Sequence, residues 1–75
     1  MNAEKLKNIL KGLDEVGDME IRMEHSLTGD LHLTSFSFMV LLMELEEQLH
    51  CELEPDIFFG VDTVQDLYEK LLPLF

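Results

Sequence analysis

The sequence predicts an all-α fold: a small four-helix bundle of three longer helices and one short one, with a long loop between the first two. Three observations predict it. Apolar residues recur at three- and four-residue intervals in three separate stretches. Each stretch is bounded by residues that start or stop helices. The one alternating stretch, residues 18–24, has no convincing second strand to pair with.

The first helix is expected over residues 3–16. Leu6, Ile9, Leu10, Leu13 and Val16 share one side, and Lys5, Lys7, Asn8 and Lys11 take the other as a solvated face. Gly12 weakens this helix and Gly17 is a natural stop. In residues 17–34, Met19, Ile21 and Met23 alternate with Asp18, Glu20, Arg22 and Glu24. Without a partner strand, the expectation is an extended loop whose apolar side chains dip into a helical core. Ser26, Thr28, Gly29 and Asp30 supply turn chemistry. Leu27, Leu31 and Leu33 pin the loop.

The second helix is expected from Ser35 to Leu49, since no proline or glycine interrupts that run. Thr34 and Ser35 both suit a helix N-terminus, where a side-chain oxygen accepts from an orphaned backbone N–H. Phe38, Leu41, Leu42, Leu45 and Leu49 form a core stripe. Phe36, Met39, Val40 and Met43 form a second apolar side in the N-terminal half. Residues at such spacing are more often core than contact surface. Methionine, however, suits adaptable surfaces, and an apolar patch rimmed by carboxylates is a usual form of binding site.

After a break at residues 51–55, Pro55 is placed to open a short helix that Gly60 ends. Thr63-Val64-Gln65-Asp66 has the form of a capping box, and Val64, Leu67, Tyr68, Leu71 and Leu72 continue it as a helical stripe closed by Pro73.

Seventy-five residues suit one domain, 1–75, near the lower limit for a self-sufficient core. A hydrophobic content of 47% excludes a disordered tail. The charge is −11 and unevenly spread: residues 1–12 carry +2 and residues 13–75 carry −13. Such a body does not bind nucleic acid through its phosphates and should steer towards basic partners. Cys51 is the only cysteine, so no intrachain disulfide forms, and a reducing, cytoplasmic setting is expected. No apolar run reaches membrane-spanning length, so no membrane partner is expected, and the chain is read as a monomer.

Catalysis and metal binding find little support. His32 lies near Ser35 in sequence, but a serine–histidine pair without an orienting third group is a weak nucleophile. The spacings of His25, His32, His50 and Cys51 match no usual zinc pattern, and the acids have no calcium-loop spacing. No catalytic residue and no metal ligand is assigned, and the protein is read as a non-enzyme.

The order of these motifs resembles the acyl carrier protein family. The family pattern runs from an acidic loop with D-L-x-x-D-S-L through a helix rich in L-E-E to a short helix and a T-V-Q-D-like last helix. Here it reads Asp30-Leu31, Thr34-Ser35-Phe36, Leu45-Glu46-Glu47 and Thr63-Val64-Gln65-Asp66, without a gap. The first helix fits more loosely. The resemblance implies a four-helix bundle of acyl-carrier type, with 4′-phosphopantetheine attached to Ser35 by a phosphopantetheinyl transferase. Acyl or aminoacyl intermediates would travel on the arm as thioesters between loading and processing enzymes of fatty-acid or specialised-metabolite synthesis. For Ser35 alone, an unmodified helix cap would be the simpler account. The resemblance reverses that weighting.

It also implies that Phe36, Met39, Val40 and Met43 form a partner-binding surface, with Glu44, Glu46 and Glu47 meeting basic patches on partner enzymes. Phe38, Leu41, Leu42 and Leu45, with Leu6, Ile9, Val64 and Leu67, would line any cleft that shelters an acyl chain. Four positions depart from the pattern. Thr34 replaces the aspartate before the serine, His32 stands where glycine is common, Phe36 replaces leucine, and Val40 replaces a frequent glutamate. They suggest a specialised carrier, or a carrier-like adaptor that binds a partner without a prosthetic arm.

Overall fold

In a computed structural model, residues 2–74 are described. The element order is α1 (Ala3–Lys11), α2 (Ser35–Leu49), a 3-10 helix (Pro55–Phe58), α3 (Val64–Leu71) and a 3-10 turn (Leu72–Leu74). The all-α expectation stands, with three helices and a short 3-10 helix in the expected order.

The Asn2 side chain caps α1 by accepting from the Lys5 N–H. The helix ends at Lys11, five residues before the expected Val16. Gly12 closes it, and successive turns follow, from Leu13 N–H to Leu10 O and from Val16 N–H to Leu13 O. Those turns advance three residues at a time, so Leu10, Leu13 and Val16 still reach the core. The periodicity was therefore real, but its last third belongs to turns.

The long loop behaves as its anchors require. Ile21, Leu27, Leu31 and Leu33 are buried, and Met19 and Met23 are half-buried. Its backbone is tied to the start of α3. Leu27 N–H donates to Asp62 O, Val64 N–H to His25 O, and Gln65 N–H to Met23 O, at 2.8, 3.0 and 2.9 Å. The pairing amounts to one isolated antiparallel bridge, Ser26 with Thr63. The alternating stretch is thus extended and uses its backbone groups without building a sheet.

The core joins Leu6 and Leu10 of α1, Leu41 and Leu45 of α2, and Val64, Leu67 and Leu71 of α3, with the loop leucines between them. Phe38 of α2 packs on Phe58 of the 3-10 helix, with ring centroids 5.0 Å apart and tilted by 56°. Leu72, expected on the α3 stripe, is exposed because the chain has by then tightened into the terminal 3-10 turn.

Candidate functional site at the start of the second helix

The site is assembled by a sharp approach to α2. Leu31 and Leu33 are both buried, and the residue between them, His32, adopts φ 61°. That left-handed conformation is one glycine takes without steric cost. It accounts for a glycine-like position at His32. The hook sends two leucines inward and delivers Thr34 and Ser35 to the surface.

Thr34, not Ser35, is the N-cap. Thr34 Oγ1 accepts from the Ser37 N–H at 3.2 Å, and Ser37 Oγ accepts from the Thr34 N–H at 3.1 Å. The two hydroxyls lie 3.1 Å apart. Phe38 N–H donates to Thr34 O. These bonds close the helix start and leave Ser35, the first helical residue, exposed and outside the capping box. Ser37 is the one buried polar residue among the described residues, at 1% exposure.

Charge is arranged unusually here. The first turns of α1, the 3-10 helix and α3 carry Glu4, Asp56 and Asp66, but the first turn of α2 carries no acid. The partial positive end of α2 therefore lacks a carboxylate in a chain of charge −11. At α3, by contrast, the N–H groups of Thr63 and Asp62 donate to Asp66 and hold its carboxyl below the usual aspartate value.

Beyond Ser35, Phe36, Met39 and Met43 stand 74%, 55% and 64% exposed in a row at helical spacing. Glu44 and Glu47 are exposed beside them. Two of the expected surface residues are placed differently. Glu46 is half-buried, and its Oε2 accepts from the Leu53 N–H at 2.9 Å, fastening the chain after α2. Val40 is half-buried and turns towards α1.

Val40, Glu44 and Gln48, one helical turn apart, form one wall of a groove of about 390 Å³. Lys5, Asn8 and Ile9 of α1, with Gly12 and Leu13, form the other. A smaller cavity of about 100 Å³ shares Gly12, Leu13 and Val40 with it and reaches Phe36 and Ser37. Of the residues expected to line a cleft, Ile9 borders this groove, and Leu6, Leu41, Leu45, Val64 and Leu67 are fully buried in the core. Lys5, Asn8 and Gln48 carried no sequence signal, because the groove arises from how two helices cross.

The histidines and the cysteine do not converge. His25 Nδ1 accepts from the Arg22 N–H, His50 is the left-handed C-cap of α2, and Cys51 is an exposed free thiol. Among the described residues no three His, Cys, Asp or Glu side chains are grouped to hold a metal ion. No helix among them is long and apolar enough to cross a membrane.

A family pattern described as a phosphopantetheine attachment site matches residues 4–71. An acyl carrier protein of Clostridium perfringens is 36% identical over 68 residues, covering 91% of this chain and 90% of its own. The chain belongs to the acyl carrier protein family. A second family member, the acyl carrier protein of Coprothermobacter proteolyticus, is 33% identical over 66 residues, covering 88% of this chain and 80% of its own. A solved structure from Mycobacterium tuberculosis, described as a candidate acyl carrier protein, superposes with a TM-score of 0.84 at 22% identity. It covers 97% of each chain and agrees in fold.

The family's prosthetic group is 4′-phosphopantetheine, and the start of α2 fits it. A phosphodiester there would meet a helix end with no acid of its own and with backbone N–H groups of the first turn, Ser35 and Phe36, outside the capping bonds. Family members are carriers, not catalysts.

Proposed function

We propose that this acyl carrier family member bears its 4′-phosphopantetheine on Ser35. It shuttles acyl or aminoacyl intermediates between enzymes of fatty-acid or specialised-metabolite synthesis, as one carrier domain over residues 1–75. The observation that carries this reading is the Ser35 side chain, exposed at the first helical position while its neighbours do the capping. When bound, the group supplies a terminal thiol that holds its cargo as a thioester. Ser35 anchors it at the dipole's positive end, next to the exposed Phe36, Met39 and Met43.

A phosphopantetheinyl transferase would load Ser35. The partner enzymes would dock on Phe36, Met39 and Met43 at the centre, with Glu44 and Glu47 at the rim meeting basic patches. Val40 contributes from the groove edge, and Glu46 only through the oxygen not engaged by Leu53. Two of the four departures that suggested an armless adaptor, Thr34 and Val40, have other accounts. Thr34 is the helix cap, as the family's aspartate could also be. Val40 packs towards α1, so it adds little to the open surface.

Loading tests the proposal. The arm-bearing chain should take up an acyl or aminoacyl group that neutral hydroxylamine removes, and Ser35→Ala should take up none. A load that resists hydroxylamine, or one that Ser35→Ala accepts equally, contradicts it.

A further inference from the structure

We infer that the groove between α1 and α2 is the resting seat of the prosthetic arm; this rests on the proposed attachment at Ser35. Several observations point there. The groove shares Gly12, Leu13 and Val40 with the smaller cavity that reaches Phe36 and Ser37, the residues just past the attachment point. The opposite side of α2 faces the core. Leu41, Leu45 and Leu67 are fully buried there, and the Phe38–Phe58 ring pair fills the seam.

The lining selects the occupant. Ile9 and Val40 form an apolar floor, and Lys5, Asn8, Glu44 and Gln48 stand around it. Lys5, Asn8, Glu44 and Gln48 are exposed and offer polar partners that a plain alkyl chain cannot use. A chain of alternating amides and methylenes matches both parts. Asn8 and Gln48 each donate and accept, Lys5 donates, and Glu44 accepts. Pantetheine is such a chain. A cavity of about 390 Å³ also has the size of a small-molecule site. At 1.5 Å rise per residue, Val40 lies about 8 Å and Gln48 about 20 Å along α2 from Ser35. An extended arm equal to about five residues of chain covers most of that range.

The seat also has a consequence for handover. The thiol end would rest near Glu44 and Gln48, on the flank of the exposed Met43. A partner docking on Met39 and Met43 would approach the cargo from beside the groove.

Methyl and amide NMR of the full chain, before and after loading with coenzyme A and a transferase, tests this. We expect shifts at the Ile9, Leu13 and Val40 methyls and the Asn8 and Gln48 side-chain amides, with cross-peaks from arm protons to the methyls. An arm seated about four-fifths of the time would slow alkylation of its thiol about fivefold relative to free pantetheine. Val40→Trp fills the groove and should restore the free rate. Asn8→Ala with Gln48→Ala, on exposed positions, should recover part of it without disturbing the fold. Shifts confined to residues 34–38 with an unprotected thiol, on a chain whose mass proves loading, overturn this inference and leave the carrier reading intact. Groove shifts that appear only when a partner enzyme is added overturn it as well. Failure of the wild type to gain the arm removes both.

Discussion

The Thr34 and Ser37 hydroxyls meet 3.1 Å apart, and each side chain accepts the other's backbone N–H. This uncharged reciprocal cap starts α2 and spares the hydroxyl of Ser35 between them. Thr34→Ala should therefore cost about 1 kcal/mol, read as a fall of about 4–8 °C in melting temperature for a chain of this size. Thr34→Asp should keep the cap and the melting temperature. It should also raise the rate of phosphopantetheinyl transfer, followed by a mass time course, because it restores the family's residue. A stable Thr34→Ala variant would show that the cap is not what holds the helix start.

The exposed row should separate docking from stability. Phe36→Ser and Met43→Ser remove apolar surface that already faces water. Their stability should stay within about 0.5 kcal/mol of wild type. Transfer from the loaded chain to a partner enzyme should fall, mostly through KM. Leu41→Ala, in the filled core, should instead cost about 2–5 kcal/mol in chemical denaturation. That is much of the 5–15 kcal/mol available to a small domain. Equal loss of stability from both kinds of substitution would mean that Phe36 and Met43 are structural.

His32 gives a backbone test. Its φ of 61° suits glycine, so His32→Gly should be neutral or stabilising, and His32→Val should destabilise by about 1–2 kcal/mol. Thermal melts of the two variants decide it.

The capping box of α3 predicts an acid-sensitive contribution. The Thr63 and Asp62 N–H groups favour the charged form of Asp66 and lower its pKa in the folded chain. A depressed carboxylate stabilises fully above the ordinary aspartate value, and its contribution disappears as pH falls through the lower, folded value. The melting-temperature difference between wild type and Asp66→Ala should thus be largest near neutrality and shrink on acidification through that window. A constant difference would assign the effect to packing. Salt acts on the whole charge of −11, and added monovalent salt should raise the melting temperature by screening self-repulsion.

The parts of the fold governed by short-range chemistry were legible in the sequence. Ser35–Leu49 was readable because an uninterrupted run begins at residues suited to a helix N-terminus, and Thr63 to Asp66 because a capping box is a local pattern. Ser35 and the row Phe36, Met39 and Met43 were placed at the surface through the family resemblance, since periodicity alone favoured burying the row. What could not be read depends on three-dimensional arrangement. Which of Thr34 and Ser35 caps is decided by Ser37, which is buried and exchanges hydrogen bonds with Thr34. Glu46 looked like one more rim charge, because nothing local reveals that Leu53 returns seven residues later to use it. The end of α1 at Lys11 was hidden because turns of three residues preserve the apolar spacing of a helix.

The attachment of the arm to Ser35 is tested most directly by intact mass spectrometry after incubation with coenzyme A and a broad-specificity phosphopantetheinyl transferase. Wild type should gain roughly 340 Da, one phosphopantetheinyl group, and Ser35→Ala should gain nothing. An unchanged wild-type mass, or the same gain on Ser35→Ala, would contradict the account.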